Sequence, residues 1–174
     1  MKELKKQLKE YINKNLEKPK KEKLFKKIFE DELRESAAFG SCNTFKESSC
    51  SNIKDFINEH EQYNDFQTML FKLIDNKKLK DSDVYNKVNI DRRLFSKIRS
   101  DKNYHPSKET IILLAIALEL NEKELDELLE SASYSLPKNN NYDLIIRFCF
   151  INKIFKLTDI NELLYEYKCK LLNC

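Results

Sequence analysis

The stretch KDSDVYNKVNIDRRLFSKIRSDKNYHPS, Lys80 to Ser107, decides how this chain is read. Asp81 to Val88 reads as one short helix, Asn89-Ile90 as a tight turn, and Asp91 as the N-cap of a second helix running to Ser100. An Asp at that place can accept the free amide hydrogens of the helix's first turn. Phe95 and Ile98, three apart, form a buried stripe, and Val84, Val88 and Ile90 are the apolar groups they would meet. Arg92, Arg93, Ser96, Lys97 and Arg99 then fall mainly on faces away from that stripe. Two arginines in the first turn oppose the helix dipole, which favours anions there. A sequence that accepts this cost presents guanidinium groups to phosphate or to base edges.

Outside this stretch, composition excludes most other classes. There is one glycine, Gly40, and there are three prolines in 174 residues, too few turn formers for a hairpin-rich β fold. Lysine, glutamate, leucine and isoleucine dominate, and the expectation is an all-α chain. The net charge is only +3 but it is segregated. Residues 1–29 carry eleven lysines against four glutamates, and residues 76–108 carry ten bases against four aspartates. Residues 30–65 carry nine acids, and residues 109–136 carry seven acids against Lys123. A basic reading segment followed by acidic helices would orient the chain toward a polyanion; the bland alternative is that the charges cover solvated helix faces. No run is long and apolar enough to span a membrane. The five cysteines, an odd number with no secretory segment, read as reduced thiols in a cytoplasmic protein.

In chain order, residues 1–35 read as a lysine-rich helical extension, broken at Pro19, whose apolar side Leu4, Leu8, Tyr11, Ile12 and Leu16 is more often docked than free. Residues 36–64 read as a small, polar linker followed by a short helix. In 65–134, Asp65 is a candidate cap for a helix burying Phe66, Met69, Leu70, Leu73 and Ile74. Ser107 with Thr110 caps a helix apolar on nearly all sides through Leu120, and Glu122 to Ser131 buries Leu125, Leu128 and Leu129. Residues 135–174 read as a helical pair, Tyr142 to Phe155 and Thr158 to Leu172, the second capped by Thr158 or Asp159.

The Lys80–Ser107 pattern resembles the helix-turn-helix of the Cro/C1 (Xre-like, lambda-repressor-like) family. Val84, Tyr85, Val88, Ile90, Phe95 and Ile98 fall where that family packs its helices, and Pro106-Ser107 falls where it opens its fourth. The segment NIDRRLFSKIRSDKNYHPSKETIILLAIALELN is also similar to a module found in Firmicute proteins, alone or appended to other domains. Asn89 stands where the family usually has Gly, and Asn tolerates a left-handed turn. The resemblance implies a five-helix bundle, here with an N-terminal helical extension and a C-terminal helical pair, and a DNA-binding transcriptional regulator. It implies base contacts from Arg92, Arg93, Ser96 and Lys97, and phosphate contacts from Lys87, Arg99, Lys102, Tyr104, His105 and Lys108. The expected partner is double-stranded DNA, with a homodimer or a protein docking on 1–35 or 142–172 left open.

No catalytic pattern stands beside this. There is no nucleophile elbow, and one glycine allows neither a phosphate-cradling loop nor a dinucleotide fingerprint. Cys42 and Cys50 are too loosely spaced for a metal knuckle, and neither histidine, His60 or His105, lies at ligand spacing from them. The expectation is therefore no enzyme, no metal and no cofactor. The acidic residues of 122–130 read as a solvated face. The competing reading, motivated by Tyr85, Leu94 and the apolar excess near the C-terminus, is an interaction or adaptor module that keeps the fold without reading DNA.

Overall fold

A computed structural model describes residues 2–16 and 65–172. They contain eight α-helices and no strand. In chain order these are α1 (Lys2–Asn15), α2 (Phe66–Asn76), α3 (Asp81–Lys87), α4 (Arg92–Ser100), α5 (Lys108–Ala117), α6 (Glu122–Ser131), α7 (Asn141–Ile151) and α8 (Leu157–Glu166). The helical extension from Pro19 to residue 35, the linker with Gly40, Cys42 and Cys50, and the short helix before Asp65 lie outside the described residues.

The centre is α5. Every residue from Ile111 to Leu118 is buried, so this helix has no solvent face. That is what a sequence apolar on all sides requires, since a helix buries each stripe it cannot hydrate. It is packed by α3 and α6, and α6 packs also against α2 and α7. Ser107 caps α5 by accepting the Thr110 amide at 3.2 Å, and Asn121 with Glu124 closes a reciprocal capping box on α6. Asp65 occupies the N-cap of α2 but makes no side-chain capping bond.

The C-terminal pair is shorter than the apolar pattern suggests. α7 stops at Ile151, and Phe155 lies beyond the turn. Lys156, not Thr158 or Asp159, takes the N-cap of α8, without a side-chain bond, and α8 ends at Glu166. The apolar excess on α7 has a packing reason: the helix touches α1, α6 and α8. Leu8 and Ile12 of α1 are buried in the common core, and the Tyr11 and Phe148 rings lie 5.4 Å apart. Lys5 pairs with Glu162 at 2.8 Å and Glu166 at 3.0 Å on α8. The α1 stripe is docked on the common core.

Six of the helices end alike. Lys78, Asn89, Glu119, Ser133, Lys153 and Lys168 all take a left-handed backbone, with φ between 49° and 58°. The amide of each following residue donates to a carbonyl five residues back: Leu79 to Ile74, Ile90 to Tyr85, Leu120 to Ala115, Tyr134 to Leu129, Ile154 to Cys149 and Cys169 to Leu164. This is the Schellman arrangement, which satisfies carbonyls that a helix end would otherwise orphan. Glycine normally fills the left-handed position, and here none does.

Candidate nucleic-acid interface

Helix α4 lies at the edge of this bundle. The Asp91 carboxylate accepts the Arg93 amide at 2.6 Å, which fixes where the helix begins. Phe95 and Ile98 are buried, and α4 packs on α3. The Phe95 ring sits 5.6 Å from Tyr85 and edge-on to Phe71 at 6.2 Å. Each buried aromatic of this kind stabilises by several kcal/mol, so Phe95→Ala would cost about 3–5 kcal/mol. From α2, the Gln67 amide nitrogen donates to the carbonyls of Ile98 and Arg99, which α4 leaves open at its C-terminal end. The turn into α4 runs through Asn89 at φ 53°.

This support leaves one side of α4 in water. Arg92, Arg93, Ser96 and Lys97 are all exposed. At 100° per residue, Arg93, Ser96, Lys97 and Ser100 lie opposite the Phe95–Ile98 stripe, while Arg92 and Arg99 lie to the side facing α3. Among the described residues, the Arg92 and Arg93 guanidinium groups and the Ser96 hydroxyl make no hydrogen bond or ion pair. The Lys97 ammonium stands over the Tyr104 ring, 4.4 Å from its centre. A cation held this way keeps its N–H donors available while its stem is fixed, at about 0.5–1 kcal/mol for an exposed pair. Arg93, Ser96 and Lys97 thus face outward along α4 with Arg92 at their flank, and the two arginines stand in the first turn, where the dipole favours anions.

The residues expected to touch phosphate divide differently. Lys102, in the turn after α4, is exposed and has no partner among the described residues. Lys87 pairs with Glu119. Arg99 is held twice, by Asp81 at 2.7 Å and by the Phe71 ring 4.2 Å below its guanidinium. His105 is tied to the end of α6, with Nε2 2.8 Å from the Ala132 carbonyl and its ring 5.1 Å from that of Tyr134. Lys108 turns inward and meets the buried Asp143 at 2.6 Å. The outward set therefore consists of Arg92, Arg93, Ser96, Lys97 and Lys102, with Tyr104 beneath Lys97; Lys108 is not part of it.

Sequence alone did not indicate several residues that hold this surface. Gln67 and Phe71 on α2, Asp81 opposite Arg99, and Tyr134 against His105 act at sequence separations where no periodicity operates. The acidic face of α6 is a further difference. Glu122 and Asp126 both grip Arg147 of α7, at 2.7 Å and 2.9 Å, so part of that face holds the bundle together.

Comparison with protein-family models, with curated proteins and with solved structures finds no match. Among the described residues, no group of histidine, cysteine and carboxylate side chains is placed to hold a metal ion, and no helix is long and apolar enough to cross a membrane.

Proposed function

We propose that this chain is a cytoplasmic DNA-binding protein, a transcriptional regulator that lays α4 in the major groove from a lambda-repressor-like helix-turn-helix. The observation that carries this reading is the outward set on α4. Arg93, Ser96 and Lys97 stand opposite a fully buried stripe, on a helix buttressed from α2 and α3. An α-helix fits the B-DNA major groove, and an arginine on it can make two hydrogen bonds to one guanine. Arg92 and Lys102 flank that set as phosphate donors, which fix register without reading sequence. Two short helices joined by a turn, α3 and α4, within a run of five consecutive helices from α2 to α6, support this reading.

The test is a salt-titrated binding assay of the full chain on random duplex DNA, followed by selection of the preferred site. Log affinity should fall linearly with log salt, by about 0.9 per phosphate engaged. Replacing Arg92, Arg93 and Lys97 together by Ala should abolish retention and leave the helical circular dichroism unchanged. Absence of any duplex complex at low salt removes the proposal.

A second reading has its own support. Lys87, Arg99 and Lys108 are engaged by the chain's own carboxylates, and Leu94 lies half-buried on α4. Ile151 and Tyr165 stand exposed near the C-terminal pair. These features fit an adaptor that keeps the fold and binds a protein. It predicts a defined complex in pull-down and no duplex shift.

A further inference from the structure

Beside the outward face of α4 runs a groove of about 560 Å³, formed where the start of α3 passes α4. It is open along one side, so a ligand would lie along it and not be enclosed. The half-buried Tyr85 ring forms the aromatic wall, with the buried Phe95 ring behind it, and Leu79, unusually exposed for a leucine, makes an apolar lip. Arg92 and Arg99 stand along it, and the Ser82 and Ser96 side chains also line it. Lys80 and Asp81 complete the lining. The Asp81 carboxylate is already occupied by Arg99, whereas Arg92 has no carboxylate partner among the described residues. Three cations against one carboxylate leave the groove net positive.

We infer that this groove is a binding site for a small planar aromatic molecule carrying an anionic group. The ring would lie along Tyr85, which Phe95 backs from the core, where offset or edge-on aromatic contacts are favourable. The anion would meet Arg92, whose planar fork suits a carboxylate or phosphate, with hydroxyl donors close by. Neither half of such a ligand suffices. A bare anion would gain no apolar contact, and a neutral ring would leave Arg92 unused.

The assignment also bears on the proposed DNA reading, and this part rests on that reading. Arg92 and Ser96 belong both to the groove and to the outward set. A molecule seated here would put negative charge beside the side chains offered to DNA, so ligand and duplex would exclude one another.

The experiment is an amide-resolved NMR titration of the full chain with phenyl phosphate, with phenol and inorganic phosphate as separate arms. Saturable shifts are expected at Ser82, Arg92, Ser96 and Arg99, with phenyl phosphate binding at least ~10-fold more tightly than either fragment. Arg92→Ala should weaken it about tenfold and Arg92→Lys by less, at unchanged spectra elsewhere. Shifts centred on another surface, binding no tighter than inorganic phosphate, or an Arg92→Ala variant that binds as well as wild type would each overturn the assignment. A chain that binds phenyl phosphate here but no duplex sinks the DNA reading alone. One that binds duplex but not phenyl phosphate sinks the groove alone.

Discussion

Lys108 and Asp143 meet at 2.6 Å, joining the first residue of α5 to the first turn of α7 with a carboxylate that is 4% exposed. Asn140 donates to the other carboxylate oxygen at 2.7 Å. A buried ion pair is weak support for stability when intact, but removing one partner strands the other charge. Lys108→Ala should therefore destabilise the chain by about 2–4 kcal/mol. If Lys108 made a phosphate contact instead, the main effect would fall on the salt dependence of duplex binding. Denaturant melts and salt-titrated binding of the same variant separate the two roles, and an unchanged midpoint would contradict the structural one.

Arg93→Lys tests base reading without removing charge. Lysine cannot reproduce two parallel hydrogen bonds to one base edge. The variant should keep its affinity for random duplex while losing about 1–3 kcal/mol of preference at one base pair of the selected site. Equal preference in both proteins would take Arg93 off the list of base contacts.

The helix ends offer a stability test. Lys78, Lys153 and Lys168 hold φ near 55° without being glycine. A residue with a Cβ costs about 1 kcal/mol there, part of which returns as the more restricted unfolded chain. Each Lys→Gly change should raise stability by about 0.5–1 kcal/mol, and the three should add because they terminate different helices. Glycine within the helices, at the exposed Glu127 of α6 for example, should do the opposite by about 1 kcal/mol. Thermal melts of the single and triple variants give the answer.

Cys149 is fully buried on α7, and burial pushes its thiol up to about 12. The thiolate is the nucleophile, so the native protein should protect this residue from alkylation at pH 8. Cys169, half-buried, should react first of the two. Peptide mapping after timed iodoacetamide treatment reads this directly, and a Cys149 that reacts as fast as Cys169 in the native protein contradicts the packing.

Acid should loosen two helix contacts. The hydrogen-bonded Lys170 ammonium holds Glu109 below its usual 4.5, and Lys87 does the same for Glu119. A carboxyl group lowered in the folded state contributes stability that is complete above its unfolded value and disappears as pH falls through its folded value. The melting temperature should drop as pH goes below about 4.5, and Lys87→Ala combined with Lys170→Ala should flatten that drop. Both pairs lie at the surface, so the effect is small and is weakened further by salt.

Much of this arrangement was legible because local chemistry enforces it. Asp91 and Ser107 each cap the helix they precede, whereas Asp65 makes no capping bond. The stripes of α4 and α6 are buried as 3.6-residue spacing requires. Misreadings arose where a decision is tertiary or rests on one backbone angle. Lys153 and Lys168 turn left-handed in lysine-rich, apolar surroundings that carry no glycine or proline to mark a stop, so both C-terminal helices looked too long. At the site, the exposed face of α4 followed from periodicity. The inward turn of Lys108 did not, because its partner lies thirty-five residues away on another helix.

The docking of α1 implies an order of assembly. From Phe66 onward, several helix contacts join neighbours in sequence, as between α3 and α4, α5 and α6, and α7 and α8. Such contacts close short loops and form early. Seating Leu8 and Ile12 instead joins segments about fifty residues apart in the chain, an entropic cost of about 3–4 kcal/mol met before any contact repays it. The amino-terminal helix should be the last piece to lock, and until it does the Phe148 side of α7 is where freshly made copies can stick to one another.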